Sequence, residues 1–158
     1  MYVLELAGED DRFAAAEAAT AATDVTVLAP GLATTATIAP DRLRGLAYTH
    51  RASELLGHAD ASVESARTLL EAAEVDRSGS VAVRARDVRG TAGVDTRRVE
   101  RVLGDVLVER GFDVDLDDPD HELRALFAGE VCAIGWLDVE AERGFGDRAP
   151  TDRPFFQP

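Results

Sequence analysis

The sequence contains no lysine and only one cysteine. Its 17 basic residues are all arginine and stand against 30 acidic residues, so the 158-residue chain has a formal net charge of −13 at pH 7. The lone Cys132 can form neither an internal disulfide nor a zinc cluster, which excludes disulfide scaffolds and zinc fingers. No apolar run approaches the roughly 18 residues of a membrane-spanning helix. The first residues also lack the features of a secretion signal, so we expect a cytoplasmic protein that does not bind a membrane.

The acidic residues are spread over every segment and do not form a tail. An excess of carboxylates without lysine is typical of proteins from salt-loving archaea, whose negative surface stays solvated in concentrated salt. A codon bias toward Ala, Arg, Gly and Asp would explain the arginines but not the excess of acid. We therefore expect a halophilic, archaeal protein whose net charge indicates little about its partners.

Residues 1–60 predict a small α+β unit. Alternation of apolar and polar residues predicts a strand from Tyr2 to Leu6, and an alanine-rich run predicts a helix from Phe13 to Ala22. Short strands are predicted at 25–28, 32–38 and 44–49, and a helical turn or two at 51–57. The pattern changes around residues 57–61, where we place a domain boundary.

Residues 61–138 predict a second α+β unit. Ser62 can cap a helix with apolar residues on one face, and Asp95 or Thr96 can begin the most regular helix of the chain. Ser80 to Val88 alternates as a strand that buries one face and carries arginines on the other. Further strands are predicted at 112–116, 122–127 and 130–137. Residues 139–158 are charged and contain proline without periodicity, which is typical of a linker.

No motif of catalysis, nucleotide binding or metal binding stands in the sequence. It has no GxGxxG, no GxxxxGK[ST] and no Asp-Pro-Pro-Tyr type tetrapeptide. The acidic run 113–122 fails as an EF-hand, because the positions of the required Gly and Glu, counted from Asp113, hold Asp118 and Arg124. The three histidines are far apart and outside any catalytic motif. We expect no catalytic residue, no metal and no cofactor in this chain.

The arginine distribution is the one feature that predicts a ligand. From Val81 to Gly111 seven arginines face five acids, a local charge of +2, whereas the remaining 127 residues carry −15. Guanidinium groups beside the N-terminus of a helix are suited to phosphates. Two interpretations stay open at this point: an anionic ligand, or a solvated face whose arginines pair with neighbouring acids. The arginines concerned are Arg84, Arg86, Arg89, Arg97, Arg98 and Arg101.

Three segments resemble a known family. The order of the strand 81–86 (VAVRAR), a long helix, residues 114–120 (VDLDDPD) and a hairpin through 135–137 (GWL) resembles a THUMP domain, the RNA-binding module of tRNA-modifying enzymes. Residues 44–51 (RGLAYTHR) resemble the N-terminal domain of archaeal tRNA guanosine N2-methyltransferases that act on position ten. Residues 152–158 (DRPFFQP) resemble the segment ahead of their catalytic domain.

The resemblance implies an α+β fold with a ferredoxin-like unit at 1–60, a THUMP domain at 61–138 and a linker at 139–158. It implies that the module, as a monomer, grips the acceptor end of a tRNA, including its single-stranded 3′ terminus. A methyltransferase domain that binds S-adenosylmethionine would follow residue 158 in the same protein, and it would carry the catalytic motif missing here.

The resemblance further implies that Arg84, Arg86, Arg89 and Arg97 contact RNA, by their place on the matching strand and helix start. The acidic charge departs from the family, whose THUMP domains are usually basic. Two alternatives remain: a stand-alone RNA-binding adaptor, or the THUMP part of another modifying enzyme such as a thiouridine synthetase. A third alternative is a protein-interaction domain, which would bind no RNA at any salt concentration.

Overall fold

The structure is a computed structural model that describes residues 1–142. Its helices are α1 (Asp11–Ala18), α2 (Pro40–Arg44), α3 (Val63–Ala72) and α4 (Thr96–Glu109), with a single 3-10 turn at Val88–Gly90. Its strands are β1 (Tyr2–Leu6), β2 (Ala22–Thr23), β3 (Thr26–Ala29), β4 (Leu32–Thr35), β5 (Thr37–Ile38), β6 (Thr49–Asp60), β7 (Ser80–Asp87), β8 (Asp113–Val114), β9 (His121–Ala128) and β10 (Val131–Glu140).

One eight-stranded sheet, ordered β3-β4-β1-β6-β10-β9-β7-β8, runs through the molecule, and β2 and β5 form a separate two-stranded sheet. The pairs of the large sheet are antiparallel except at one end, where β7 runs parallel to both β9 and β8. The mostly antiparallel sheet with helices packed on it confirms the predicted α+β class. Among residues 1–142, no helix is long and apolar enough to span a membrane.

The elements predicted for the second unit are confirmed. The strands β7, β8, β9 and β10 are neighbours in the sheet, and α3 and α4 pack on it. The Ser62 hydroxyl accepts a hydrogen bond from the backbone N–H of Ser65 at 3.0 Å, and the Asp95 carboxylate accepts one from the N–H of Arg98 at 3.2 Å. Both helices therefore begin where a side chain satisfies a backbone donor that the helix leaves open.

Helices cover one face of the sheet in two groups. At one end, α3 and α4 enclose a core that includes Trp136, Phe127, Leu103 and Leu107, all essentially inaccessible to water. At the other end, α1 and α2 cover a smaller core around Leu4 and the buried residues of β4, β6 and β10. The amphipathic faces of the helices are thus buried against the apolar face of a shared sheet.

On the opposite face of the sheet, residues from its two ends pack against each other. Val3 on β1 and Leu32 on β4 pack against Val88 and Leu126, which belong to the other end of the sheet. Gly31, at the β3–β4 turn, has φ of +81°, and a Cβ at this position would lie 2.6 Å from a methyl carbon of Val88. Both the backbone conformation and the close approach require glycine here.

Two local predictions within residues 40–60 are wrong. Residues 51–57 form no helical turn but the middle of the long strand β6. The strand predicted at 44–49 is absent, because Arg44 ends α2, residues 45–48 are a connection and Thr49 begins β6. Glu54, Leu55 and Leu56 are compatible with a helix, but pairing of β6 with β1 on one side and β10 on the other overrides local preference. The boundary near residue 60 and the ferredoxin-like unit stay predictions. Of the predicted linker 139–158, Val139 and Glu140 belong to β10 because they pair with β6, and residues 143–158 lie outside the described part.

Candidate nucleic-acid interface

The two arginines of β7 lie on the face predicted from the alternation. Val81 and Val83 are buried under α3 and α4, whereas Arg84 and Arg86 emerge on the other face. The Arg84 guanidinium donates to the backbone carbonyl of Leu116 at 2.9 Å. The side chain of Arg86 is 48% exposed. Both groups are therefore held at the surface.

The face that carries these arginines has a buried carboxylate at its centre. Glu5 on β1, only 3% exposed, accepts from Nε and Nη2 of Arg124 on β9 at 2.6 and 2.9 Å. Arg51 and Arg86 approach the same carboxylate at 3.7 and 3.6 Å. Arg124 also donates to Glu122 at 2.6 Å. One buried acid thus orients three arginines, of which Arg86 reaches furthest into solvent.

Arg124 stays charged although its side chain is buried. Burial disfavours the charged guanidinium, but the carboxylates of Glu5 and Glu122 outweigh burial and raise the pKa of Arg124 above its usual value. Arg124 stands directly beside Arg84 in the parallel register of β9 and β7. Arg124 is turned to its acids, whereas the Arg84 guanidinium donates to the carbonyl of Leu116.

Arg89 has a different environment from Arg84 and Arg86. Its backbone is left-handed, with φ of +57°. Its guanidinium donates to the Asp11 carboxylate and to the carbonyl of Gly8, each at 2.7 Å. Asp11 also accepts from the N–H of Gly31, and despite partial burial the pKa of Asp11 is lowered by Arg89 and this N–H. Arg89 therefore fastens the turn after β7 to the start of α1.

Asp87 organises the turn between β7 and α4. Its two carboxylate oxygens accept from the backbone N–H groups of Ala92 and Gly93 at 2.9 and 2.8 Å. The Thr91 hydroxyl donates to the carbonyl of Val88 and accepts from the N–H of Gly129. These bonds fix the path by which the chain passes from the arginine-bearing strand to the arginine-bearing helix.

The arginines at the start of α4 differ in their pairing. Arg98 lies 3.5 Å from Glu64 on α3. Arg97 and Arg101, one turn apart, are exposed, and their guanidinium groups have no hydrogen-bond or ion-pair partner within residues 1–142. Arg101 and Arg84 line one groove between α4 and β7. Of the predicted contacts, Arg97 has a guanidinium unengaged within the described part of the chain, Arg84 is bound to a backbone carbonyl, Arg86 lies 3.6 Å from Glu5, and Arg89 is engaged with Asp11.

The central cluster of Glu5, Arg51 and Arg124 was not predicted from the sequence. A signal for it exists, because Glu5 is the only charged residue of β1 and Arg124 lies among the apolar residues 123–128 of β9, and buried charges are almost always paired. The partners cannot be matched from sequence, since 119 positions separate them.

Comparisons with known proteins find solved structures of the same fold. No protein-family model and no curated protein matches this sequence. Among solved structures, TrmN from Thermus thermophilus matches 89% of this chain with a TM-score of 0.62 and 23% identity. A 4-thiouridine synthetase in complex with RNA and bound ATP matches 90% (TM-score 0.50, 14% identity), and SMU.472, a putative methyltransferase complexed with SAH, matches 87% (TM-score 0.58, 12% identity).

This chain shares the fold of the matched part of these three structures. It spans only 46% of the TrmN chain, 42% of the synthetase chain and 40% of the SMU.472 chain. Each of those chains is therefore more than twice as long as the segment that it shares with this protein.

Proposed function

We propose that this chain is the tRNA-binding part of a tRNA-modifying enzyme, with a ferredoxin-like unit at 1–60 and a THUMP domain at 61–138. The observation that carries the proposal is the group of guanidiniums on β7 and α4. Arg84 is bound only to a backbone carbonyl, Arg86 lies 3.6 Å from its nearest carboxylate, and Arg97 has no partner within residues 1–142. Arginines that no carboxylate neutralises closely are suited to phosphate oxygens.

In this proposal the module grips the acceptor end of the tRNA, including its single-stranded 3′ terminus. RNA of this kind is recognised through shape, phosphates and unstacked bases more than through base edges of the duplex. Arg84, Arg86 and Arg97 are the primary contacts. Arg89 stays a predicted contact, and its guanidinium would have to leave Asp11 to reach the RNA.

The partner in the same protein is a methyltransferase domain that uses S-adenosylmethionine to modify the guanosine at position ten. The match to a putative methyltransferase complexed with SAH, of which this chain spans 40%, supports this partner. The part of the predicted linker that follows β10, residues 141–158, would link the two domains in a cytoplasmic monomer. The chain itself supplies RNA binding and positioning, and it is expected to supply no catalytic group.

A second candidate is the RNA-binding part of a thiouridine synthetase, which the match to the synthetase–RNA complex favours. The two candidates differ in the chemistry of the parent enzyme. Transfer of a labelled methyl group from S-adenosylmethionine to tRNA supports the first, and ATP-dependent incorporation of sulfur supports the second.

The experiment that tests RNA binding uses the full chain and a tRNA transcript at several salt concentrations. Replacing both Arg84 and Arg86 by Ala should weaken binding by about 100-fold or more, because each charge-assisted contact contributes roughly 1.5–3 kcal/mol. Arg12→Ala is the matched control, since Arg12 is exposed and has no side-chain partner within residues 1–142. Equal affinities of wild type, double variant and control would show that the arginines are only a solvated face.

A further inference from the structure

A groove of about 280 Å³ lies between α4, the outer edge of β7 and residues 114–116. Three of the seven large apolar side chains exposed within residues 1–142 line it: Val108, Val114 and Leu116, which are 49%, 53% and 59% exposed. Exposed apolar side chains that gather in one concave place, instead of being scattered singly, are typical of a binding site.

The wall of this groove offers backbone hydrogen-bonding groups. The edge strand β7 is paired with β8 only through Ser80 and Val81. The carbonyl of Val81 accepts from the N–H of Asp115, and the N–H of Ala85 donates to Glu100, so both residues direct backbone groups to this outer edge. By strand alternation the N–H and carbonyl of Val83 point to the same edge, where β8 has ended. A donor and an acceptor therefore stand side by side in the groove.

Guanidinium groups stand on the rim. Arg84 and Arg101 both line the groove, and Arg97 lies one helical turn before Arg101. Of the two acids in the lining, Glu100 accepts from the N–H of Ala85, and Asp105 follows Arg101 by one turn. The groove thus combines apolar side chains, an adjacent donor and acceptor, and two arginines in its lining.

We propose that this groove holds one unstacked nucleobase of the bound RNA, with the adjoining phosphate on Arg84 and Arg101. This inference rests on the proposed RNA-binding function and adds a place for a single base. The volume suits one base and is small for a peptide helix. An adjacent donor and acceptor match the hydrogen-bonding edge of a base, and the apolar side chains can pack on its faces.

The decisive variant fills the groove without changing charge. Gly104 lines the groove from α4, and a Cβ at this position meets no atom within 4 Å, so the side chain of Gly104→Leu starts in open space and extends into the groove. Ala16→Leu, on the exposed side of α1, is the matched control. Val114→Thr, which removes apolar character without changing size, tests the groove a second time. Melting temperatures verify that each variant folds.

The probes are a single-stranded RNA oligonucleotide carrying one 2-aminopurine and a blunt RNA duplex of the same sequence. Gly104→Leu should lower affinity for the single strand by roughly 5- to 150-fold, as loss of one stacked base does, and leave duplex affinity unchanged. The 2-aminopurine signal seen on binding to wild type should disappear.

Unchanged affinity of Gly104→Leu for the single strand overturns the base site, and it is the result expected if a protein occupies the groove. An equal loss for single strand and duplex also overturns it, because the groove would then serve RNA in general. If wild type binds the tRNA transcript but neither probe, the base site alone is overturned, and if it binds neither the transcript nor the probes at any salt concentration, the proposed RNA-binding function itself is wrong. The failure of the groove and the failure of the function are thus distinguishable.

Discussion

The guanidinium of Arg124 on β9 grips the carboxylate of Glu5 on β1 with two hydrogen bonds, of 2.6 and 2.9 Å. The strands β6 and β10 lie between β1 and β9 in the order of the sheet. The pair can form only because the sheet curls until its inner face closes on itself. This buried pair connects residues 1–60 with residues 61–138. It also fixes the position of the Glu5 carboxylate beside Arg86.

Removing one partner of this ion pair should destabilise the protein. Glu5→Leu leaves Arg124 buried with only Glu122 beside it, and removal of one partner of a buried ion pair typically costs about 3–5 kcal/mol of unfolding free energy. The double variant Glu5→Leu/Arg124→Leu should be less destabilised than the sum of the single variants by about 2 kcal/mol or more. Urea unfolding of all four proteins measures this coupling.

The exposed pair of Arg67 and Glu71, at 3.2 Å on α3, is the control for that cycle. Surface pairs of this spacing contribute about 0.5 kcal/mol or less. A coupling at Glu5 and Arg124 as small as the coupling at the control pair would contradict the assignment of a buried, structure-defining contact.

The contact between Asp11 and Arg89 should contribute stability that depends on pH. The pKa of Asp11 is lowered in the folded protein, so folding favours its ionised form. This contribution is complete at neutral pH, above the unfolded pKa of about 4, and is lost as the pH falls through the folded value. Asp11→Asn should therefore reduce unfolding free energy by about 1–2 kcal/mol at pH 7 and by much less near pH 2.5.

Chemical unfolding at the two pH values compares wild type with Asp11→Asn. Asp41→Asn serves as the control, because Asp41 is fully exposed in its pair with Arg44 and its substitution should change stability little at either pH. If the difference in unfolding free energy between wild type and Asp11→Asn is the same at both pH values, the charge of Asp11 does not contribute to stability.

Replacing either of two glycines by alanine should change the stability of the protein in opposite directions. A Cβ on Gly135 would lie 2.6 Å from the carbonyl oxygen of Glu54, where β10 bulges against β6, so Gly135→Ala should cost about 1–3 kcal/mol. Gly104 lies in α4 with open space around it, and Gly104→Ala should stabilise the protein by about 0.5–1 kcal/mol. Thermal unfolding of both variants tests the pair, and similar shifts would contradict the bulge geometry.

Local patterns predicted the elements whose stability is largely local. The helices begun by Ser62 and Asp95 and the alternating strand β7 follow from caps and periodicity. The strand β6 could not be predicted, because its residues pair on both sides with strands distant in sequence. Arg89 stands near Arg86 in the sequence, but its left-handed backbone turns it to Asp11, which only the packed structure reveals.

Added salt should stabilise this protein. With 30 acidic and 17 basic residues, carboxylates that repel one another outnumber those that pair with arginine. Screening at high ionic strength reduces that repulsion more than it weakens the exposed ion pairs. The melting temperature should therefore rise from low salt to molar sodium chloride. The exposed carboxylates of Asp113, Asp117 and Asp118 contribute to the repulsion, so replacing all three by Asn should reduce the slope. A melting temperature that is level or falls with salt would remove halophilic adaptation as the explanation of the net charge and would favour a basic partner for the acidic surface.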